Sequence, residues 1–155
     1  MERKESVRDE IELQYVTFVI AGDTYGIDVS FVQEVTGLGG ITKVPDSKSF
    51  MKGVLDLRGV IVPLVDMRLR FGFGSKPYDA QTAVIITRLG GKNIGMIVDA
   101  VSDVVNIAPS KIQNTEHYPV KVETDTVTGV VSMPKGIIIL LDAGKVLAAE
   151  TAAAS

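Results

Sequence analysis

One histidine, four strand-ending aspartates and two glycine-rich stretches are the places where this chain could do chemistry. His117 lies between Glu116 and Tyr118 in a polar stretch. A catalytic imidazole needs a nucleophile on one side and an orienting carboxylate on the other, and the sequence supplies no such pair, so His117 reads as a solvated loop residue. Asp28, Asp66, Asp99 and Asp142 each close an apolar segment. Two of them, Asp66 and Asp142, recur at matching places of an internal repeat. An acid–base pair needs unlike environments, so repetition points to turn and capping duty. Gly90-Gly91-Lys92-Asn93 lacks the leading glycine and the following Ser or Thr of a phosphate loop, and reads as a hairpin turn. Gly72-Phe73-Gly74-Ser75 is too short for a dinucleotide fingerprint. The chain has no cysteine, which excludes disulfides, thiol catalysis and thiolate zinc sites. The expectation is no enzyme, no metal and no cofactor.

Binding is what remains, and Arg58 stands out. Gly53–Gly72 reads GVLDLRGVIVPLVDMRLRFG, with apolar runs Val54–Leu57 and Val60–Val65 on either side of Arg58-Gly59. Aliphatic runs flanking a glycine turn predict a hairpin. Gly59 supplies the positive φ, and Arg58 is lifted to the tip. The guanidinium then either pairs loosely with Asp56 in solvent or anchors an interface, where Arg amid apolar surface is enriched. Val32 and Glu34 either cover a barrel end as part of a helical turn or meet a partner. Tyr118, beside Pro119, either faces a partner or pins its loop.

The elements that must position these residues follow from alternation and turn chemistry. Strands are expected at Leu13–Ile20 and Thr24–Val29, joined at Ala21-Gly22-Asp23. Ser30–Val35 is read as a short helix or turn, Thr36–Gly40 as a loop, Ile41–Val44 as a strand and Ser47–Lys52 as a helical turn. Pro63 cannot donate to a ladder, which predicts an edge strand or a kink there. Asp66 is an N-cap for Met67–Arg70. Gly72–Gln81 connects two halves. Strands resume at Thr82–Arg88, Asn93–Val98 and Asp103–Ile107, followed by a polar loop Ile112–Asp125. A last hairpin, Thr126–Ser132 and Gly136–Leu141, turns at Met133-Pro134-Lys135. Asp142 caps a closing helix at Gly144–Glu150.

The chain repeats itself. Tyr25-Gly26-Ile27-Asp28-Val29 is echoed by Ile94-Gly95-Met96-Ile97-Val98, and Gly53-Val54 through to Asp66 by Gly129-Val130 through to Asp142 at the same interval. Two copies of a five-strand unit, each ending in a short helix, account for this. The fold class is therefore all-β with short helices: two small barrels, roughly 13–72 and 82–148 with room for strand exchange, between a flexible lead-in 1–12 and tail 149–155. At 155 residues, roughly 68–70% of the unfolded surface can be buried without a staple.

Net charge is −3 and tryptophan is absent, which argues against nucleic-acid binding. The charged N-terminal run lacks a signal-peptide core, and no window approaches the ~18 apolar residues of a membrane span. A cytoplasmic protein without direct membrane insertion is expected.

With those residues in view, the chain resembles the chemotaxis coupling (CheW) family. Gly53-Val54-Leu55-Asp56-Leu57-Arg58-Gly59-Val60-Ile61-Val62-Pro63-Leu64-Val65-Asp66-Met67-Arg68 follows the family signature G-V-x-N-L-R-G-x-I-x-P-V-x-D-L-R, with Asp56 for Asn and Met67 for Leu. Tyr25-Gly26-Ile27-Asp28, Val32-Gln33-Glu34-Val35, Ile94-Gly95, Val98-Asp99-Ala100-Val101 and Leu140-Leu141-Asp142 extend the likeness over Glu12–Leu147. The resemblance implies two SH3-like five-stranded β-barrels around a shared hydrophobic interface, and an adaptor without catalysis. Its implied partners are the regulatory domain of the histidine kinase CheA and the cytoplasmic tips of methyl-accepting chemotaxis receptors, in arrays at the inner face of the membrane. By position it assigns Arg58 to receptor binding and Val32 and Glu34 to either partner, and a groove lined by Val29, Val32 and Val104 is then expected to take the apolar stripe of the receptor tip. Tyr118 goes to the kinase, and Gly53 and Gly59 to the shape of the hairpin. The rival reading is a duplicated barrel that binds a peptide or small ligand between its halves.

Overall fold

A computed structural model describes residues 11–39 and 51–148. Its strands are β1 (Leu13–Ile20), β2 (Asp23–Asp28), β3 (Val32–Gly37), β4 (Met51–Leu57), β5 (Val60–Asp66), β6 (Ala83–Leu89), β7 (Lys92–Val98), β8 (Ala100–Ile107), β9 (Val127–Met133) and β10 (Gly136–Leu141). Two four-residue helices follow β5 and β10: α1 (Met67–Arg70) and α2 (Ala143–Val146). The strands form two five-stranded sheets, ordered β8-β1-β2-β10-β9 and β3-β6-β7-β5-β4.

The two orders are copies of each other. In each sheet one parallel contact joins two antiparallel hairpins, β10 with β2 and β5 with β7. Gly26 pairs with Leu140 in the first and Gly95 with Leu64 in the second. The repeat legible in the sequence is thus a repeat of strand register.

The expected division near 72–82 is corrected. The first sheet takes β1 and β2 from the beginning of the chain and β8–β10 from its end, while β3–β7 form the second without interruption. Strand exchange is complete: β2 pairs in parallel with β10, which sets Leu140 beside Gly26.

Alternating side chains make three apolar layers. Tyr15, Ile107, Val131, Ile138 and Leu140 fill the first barrel. Leu55, Val62, Leu64, Val84, Ile86 and Ile97 fill the second. The opposite faces of the same strands, including Val16, Phe18, Tyr25, Val65, Ile85, Met96 and Ile139, meet in one larger cluster between the barrels. That cluster is the shared hydrophobic interface.

Local expectations fail in instructive places. Ser30–Val35 is not a helix: Val29–Phe31 make one 3-10 turn, and β3 then runs through Gly37, into the expected loop. The β-branched residues Val32, Val35 and Thr36 suit this strand, which pairs with β6. The strand read at Ile41–Val44 lies outside the described residues, as do residues 47–50 of the Ser47–Lys52 turn; Met51 and Lys52 belong to β4. β8 starts three residues earlier than expected, at Ala100. The closing helix is only Ala143–Val146, and 149–150 lie outside the described residues. Pro63 sits in an interior strand, because β7 pairs with β5 only from Leu64 onward and asks nothing of the Pro63 nitrogen.

Candidate docking site

Arg58 and Gly59 form a two-residue turn between Leu57 and Val60, with φ of 52° and 89°. Both residues occupy the left-handed region, the geometry that matches the twist of a hairpin. Arg58 is held there although a side chain disfavours it. Asp56 Oδ1 accepts the Gly59 N–H at 2.8 Å, so Asp56 serves the turn and is not the partner of Arg58. Gly53 has φ of 142° at a bulge in β4, where the register shifts between Met51 and Gly53.

The guanidinium reaches across the barrel instead. Arg58 Nη2 donates to Glu34 Oε1 at 2.5 Å, and this bond, with the charge of Glu34, raises the arginine pKa above its ordinary value. The Arg58 side chain stays 70% exposed and that of Glu34 30%. Val35, Val60 and Ile61 are also exposed, so the ion pair stands on the same barrel as a set of apolar residues open to solvent. Two of the predicted residues therefore meet each other.

Val29 and Val32 are half-buried against the inter-barrel cluster. Val104 is 58% exposed. Its cross-strand partner in β1 is Val16, a member of that cluster, so Val104 stands on the sheet face turned toward the second barrel. The three valines follow the rim of the seam between barrels.

Tyr118 lies elsewhere. It follows a 3-10 turn at Thr115–His117 and packs half-buried against the inter-barrel cluster. With Asp23, Lys121, Val130, Ile137 and Ile139 it lines a cavity of about 210 Å³, and Lys121 Nζ sits 3.6 Å from Asp23 Oδ2. The ring both pins its loop and walls an open depression.

The four aspartates act as hydrogen-bond acceptors. Asp28 Oδ1 accepts from the Ser30 N–H, and Asp142 Oδ1 from that of Lys145. Asp66, 2% exposed, accepts the Arg68 and Leu69 N–H groups on Oδ1 and the Tyr78 hydroxyl on Oδ2. Burial, then the bond and charge of Asp66, raise the Tyr78 phenol. Asp99 accepts the Ala21 N–H and a guanidinium N–H of Arg68. Among the described residues no group of three or more His, Cys, Asp or Glu could hold a metal ion.

Sequence reasoning missed Lys135 and Asp103. Lys135 Nζ lies 3.3 Å from Asp103 Oδ2, joining the β9–β10 turn to β8, as Arg58 joins the β4–β5 turn to β3. The repeat contained this signal, since the Met133–Lys135 turn aligns with the Arg58 turn. No spacing in the sequence assigns Arg68 a partner.

Comparison with known proteins places these features. A family model described as the CheW-like domain matches residues 14–151. The chain is 35% identical over 137 residues to the chemotaxis protein CheW of Klebsiella aerogenes, covering 88% of this chain and 82% of that one. It is 29% identical over 139 residues to the chemotaxis protein CheW of Bacillus subtilis, covering 88% and 87%. The crystal structure of the scaffolding protein TtCheW from Thermoanaerobacter tengcongensis matches with a TM-score of 0.77 at 32% identity, over 85% of each chain. The expected pair of SH3-like five-stranded barrels agrees with the two sheets and with this neighbour.

Proposed function

Because the chain belongs to the CheW-like family of chemotaxis scaffold proteins, we propose that it is a non-catalytic adaptor coupling methyl-accepting receptors to the histidine kinase CheA. The observation that carries this reading is the exposed Arg58–Glu34 pair on a rigid turn, on a barrel that also exposes Val35, Val60 and Ile61. Arginine amid apolar surface is a favoured interface anchor. The receptor tip, a helical hairpin, lays an apolar stripe along the rim marked by Val29 and Val104, in the manner of helix-in-groove recognition. Arg58 adds a charge-assisted hydrogen bond to a receptor carboxylate or carbonyl. Val32 and Glu34, between rim and turn, meet either partner. Tyr118 meets the kinase regulatory domain from the first barrel. Gly53 and Gly59 keep the hairpin in shape.

Modest individual contacts suffice in an array at the inner face of the membrane, where effective concentration multiplies them. Receptor control of the kinase then requires only that receptor states favour different placements of the bound partners. Co-sedimentation with a receptor cytoplasmic fragment and the kinase tests the reading. Retention of the chain by both is the expected result, and a chain that remains in the supernatant with each partner would refute it.

A further inference from the structure

Among the described residues the chain passes between the two sheets only twice. The first passage spans the 3-10 turn Val29–Phe31 between β2 and β3. The second is a single residue, Asp99, between β7 of one sheet and β8 of the other. A one-residue passage leaves little slack, so the conformation held at Asp99 bears on how one barrel sits against the other. Three groups hold this residue. The Asp99 N–H donates to Val19 O of β1 at 3.0 Å. Asp99 Oδ2 accepts the Ala21 N–H, from the β1–β2 turn, at 2.9 Å. The same oxygen accepts from Arg68 Nη1 at 2.8 Å, and Arg68 belongs to α1, which follows β5 of the other sheet and packs on β7. The ion pair is sheltered, with side-chain exposures of 20% and 15%. Arg68 Nε is itself oriented by Gly74 O at 3.1 Å. Two residues on, Arg70 Nε donates to Val146 O, in α2 of the first barrel, at 3.0 Å. One short helix thus sends one guanidinium group to the residue that links the sheets and another to the opposite barrel.

We propose that Arg68 and Asp99 are positioning residues for partner coupling: they fix the angle between the barrels, and with it the rim on which Val29, Val32 and Val104 stand. The inference rests on the adaptor reading for its binding consequences and on geometry alone for the angle. Receptor recognition spans both barrels and depends on the angle. Contact through Tyr118 uses a depression lined by residues of the first barrel alone, although the ring also packs on the inter-barrel cluster, so it depends on the angle far less. A residue that merely stabilised the fold would weaken both alike.

The absence of cysteine allows nitroxide labels at exposed positions of the two barrels, Arg88→Cys on β6 and Lys111→Cys after β8, and a pulsed-dipolar distance measurement on the full chain. Arg68→Gln is expected to broaden the inter-barrel distance distribution. It should weaken binding of a receptor cytoplasmic fragment about tenfold, while affinity for the kinase regulatory domain stays within about twofold. Asp99→Asn, which keeps an oxygen for the Ala21 N–H, should act in the same direction and serves if Arg68→Gln does not fold. An unchanged narrow distribution in the folded variants overturns the inference, as does equal loss of both affinities. If the unsubstituted chain holds no receptor, the adaptor reading fails, and the distance distributions still decide whether the pair sets the angle.

Discussion

Arg58 and Glu34 bind each other across the seam of one barrel: the arginine sits in the turn after β4, the glutamate on β3, and these two strands are the two edges of the same sheet. Lys135 and Asp103 repeat the arrangement in the other barrel, between the turn after β9 and β8. The match extends to the backbone. β3 shifts register against β6 between Val32 and Glu34, and β8 against β1 at Val16–Phe18, opposite Val104 and Val101. Each barrel therefore fastens its hairpin to its bulged edge strand with one ion pair, and Val35 and Val104 occupy the same place beyond the two bulges.

Arg58→Ala should leave the thermal midpoint within a few degrees, since an exposed residue contributes little to stability, and should weaken receptor coupling. Glu34→Ala should do the same if the pair acts as a unit, and the double variant should then be no worse than either single one. Calorimetry and receptor pull-down measure the two quantities. A folded Arg58→Ala protein that couples normally returns the residue to a solvated turn.

Tyr118→Ala should weaken binding of the kinase regulatory domain while sparing the receptor fragment. Because the ring is half-buried against the inter-barrel cluster, a stability loss of about 1–2 kcal/mol accompanies it, below the full cost of removing a buried aromatic. Titration calorimetry with each partner separates the outcomes. Equal loss of both would make the loop purely structural.

The hairpins, the duplication and the caps at Asp66 and Asp142 were legible because turn chemistry and alternation are local. The sequence left room for strand exchange but did not show that β1 and β2 join β8–β10, because parallel pairing leaves no local mark beyond a small residue such as Gly26. β3 was misread because Val32-Gln33-Glu34-Val35 places valines three apart, a spacing that fits a helical turn as well as a bulged strand. Arg58 was singled out from its turn, but its partner lies 24 residues away and could not be read from spacing. Asp99 was legible as a turn residue, whereas its bond to Arg68 depends on how the barrels dock.

Two tyrosines should respond oppositely to loss of their hydroxyl. Tyr25 is fully buried, and its hydroxyl has no hydrogen-bond partner among the described residues. Tyr25→Phe should therefore be neutral or stabilise by up to about 1 kcal/mol, whereas Tyr78→Phe, which strips a bond from Asp66, should cost about 1 kcal/mol. Burial first and the charge of Asp23 second push the Tyr25 phenol up to about 12. A folded pKa above that of the unfolded chain gives stability that is fully present below about pH 10 and lost as pH rises toward the folded value. Denaturant midpoints should accordingly fall between pH 10 and 12, with a shallower slope in Tyr25→Phe. Identical slopes would show that this phenol does not contribute.

The matched glycines of the two parallel contacts should tolerate a methyl group unequally. A Cβ on Gly95 would lie 2.5 Å from Leu64 Cδ2 and 2.9 Å from Val84 Cγ1, inside the second barrel. A Cβ on Gly26 would lie 3.2 Å from Leu140 Cδ2 and 3.3 Å from Ile138 Cγ2, a gap that small side-chain shifts can open. Gly95→Ala should cost about 2 kcal/mol or more through overpacking. Gly26→Ala should come out near neutral, because the entropy removed from the unfolded chain, about 0.4–1 kcal/mol, offsets milder crowding. Shortening the crowding side chain supplies the control. Leu64→Ala alone leaves a cavity and destabilises by about 2–5 kcal/mol, so the double variant Gly95→Ala/Leu64→Ala should be less destabilised than the sum of its parts. Strict additivity in denaturant unfolding would mean that Gly95 is required for some reason other than the approach of Leu64.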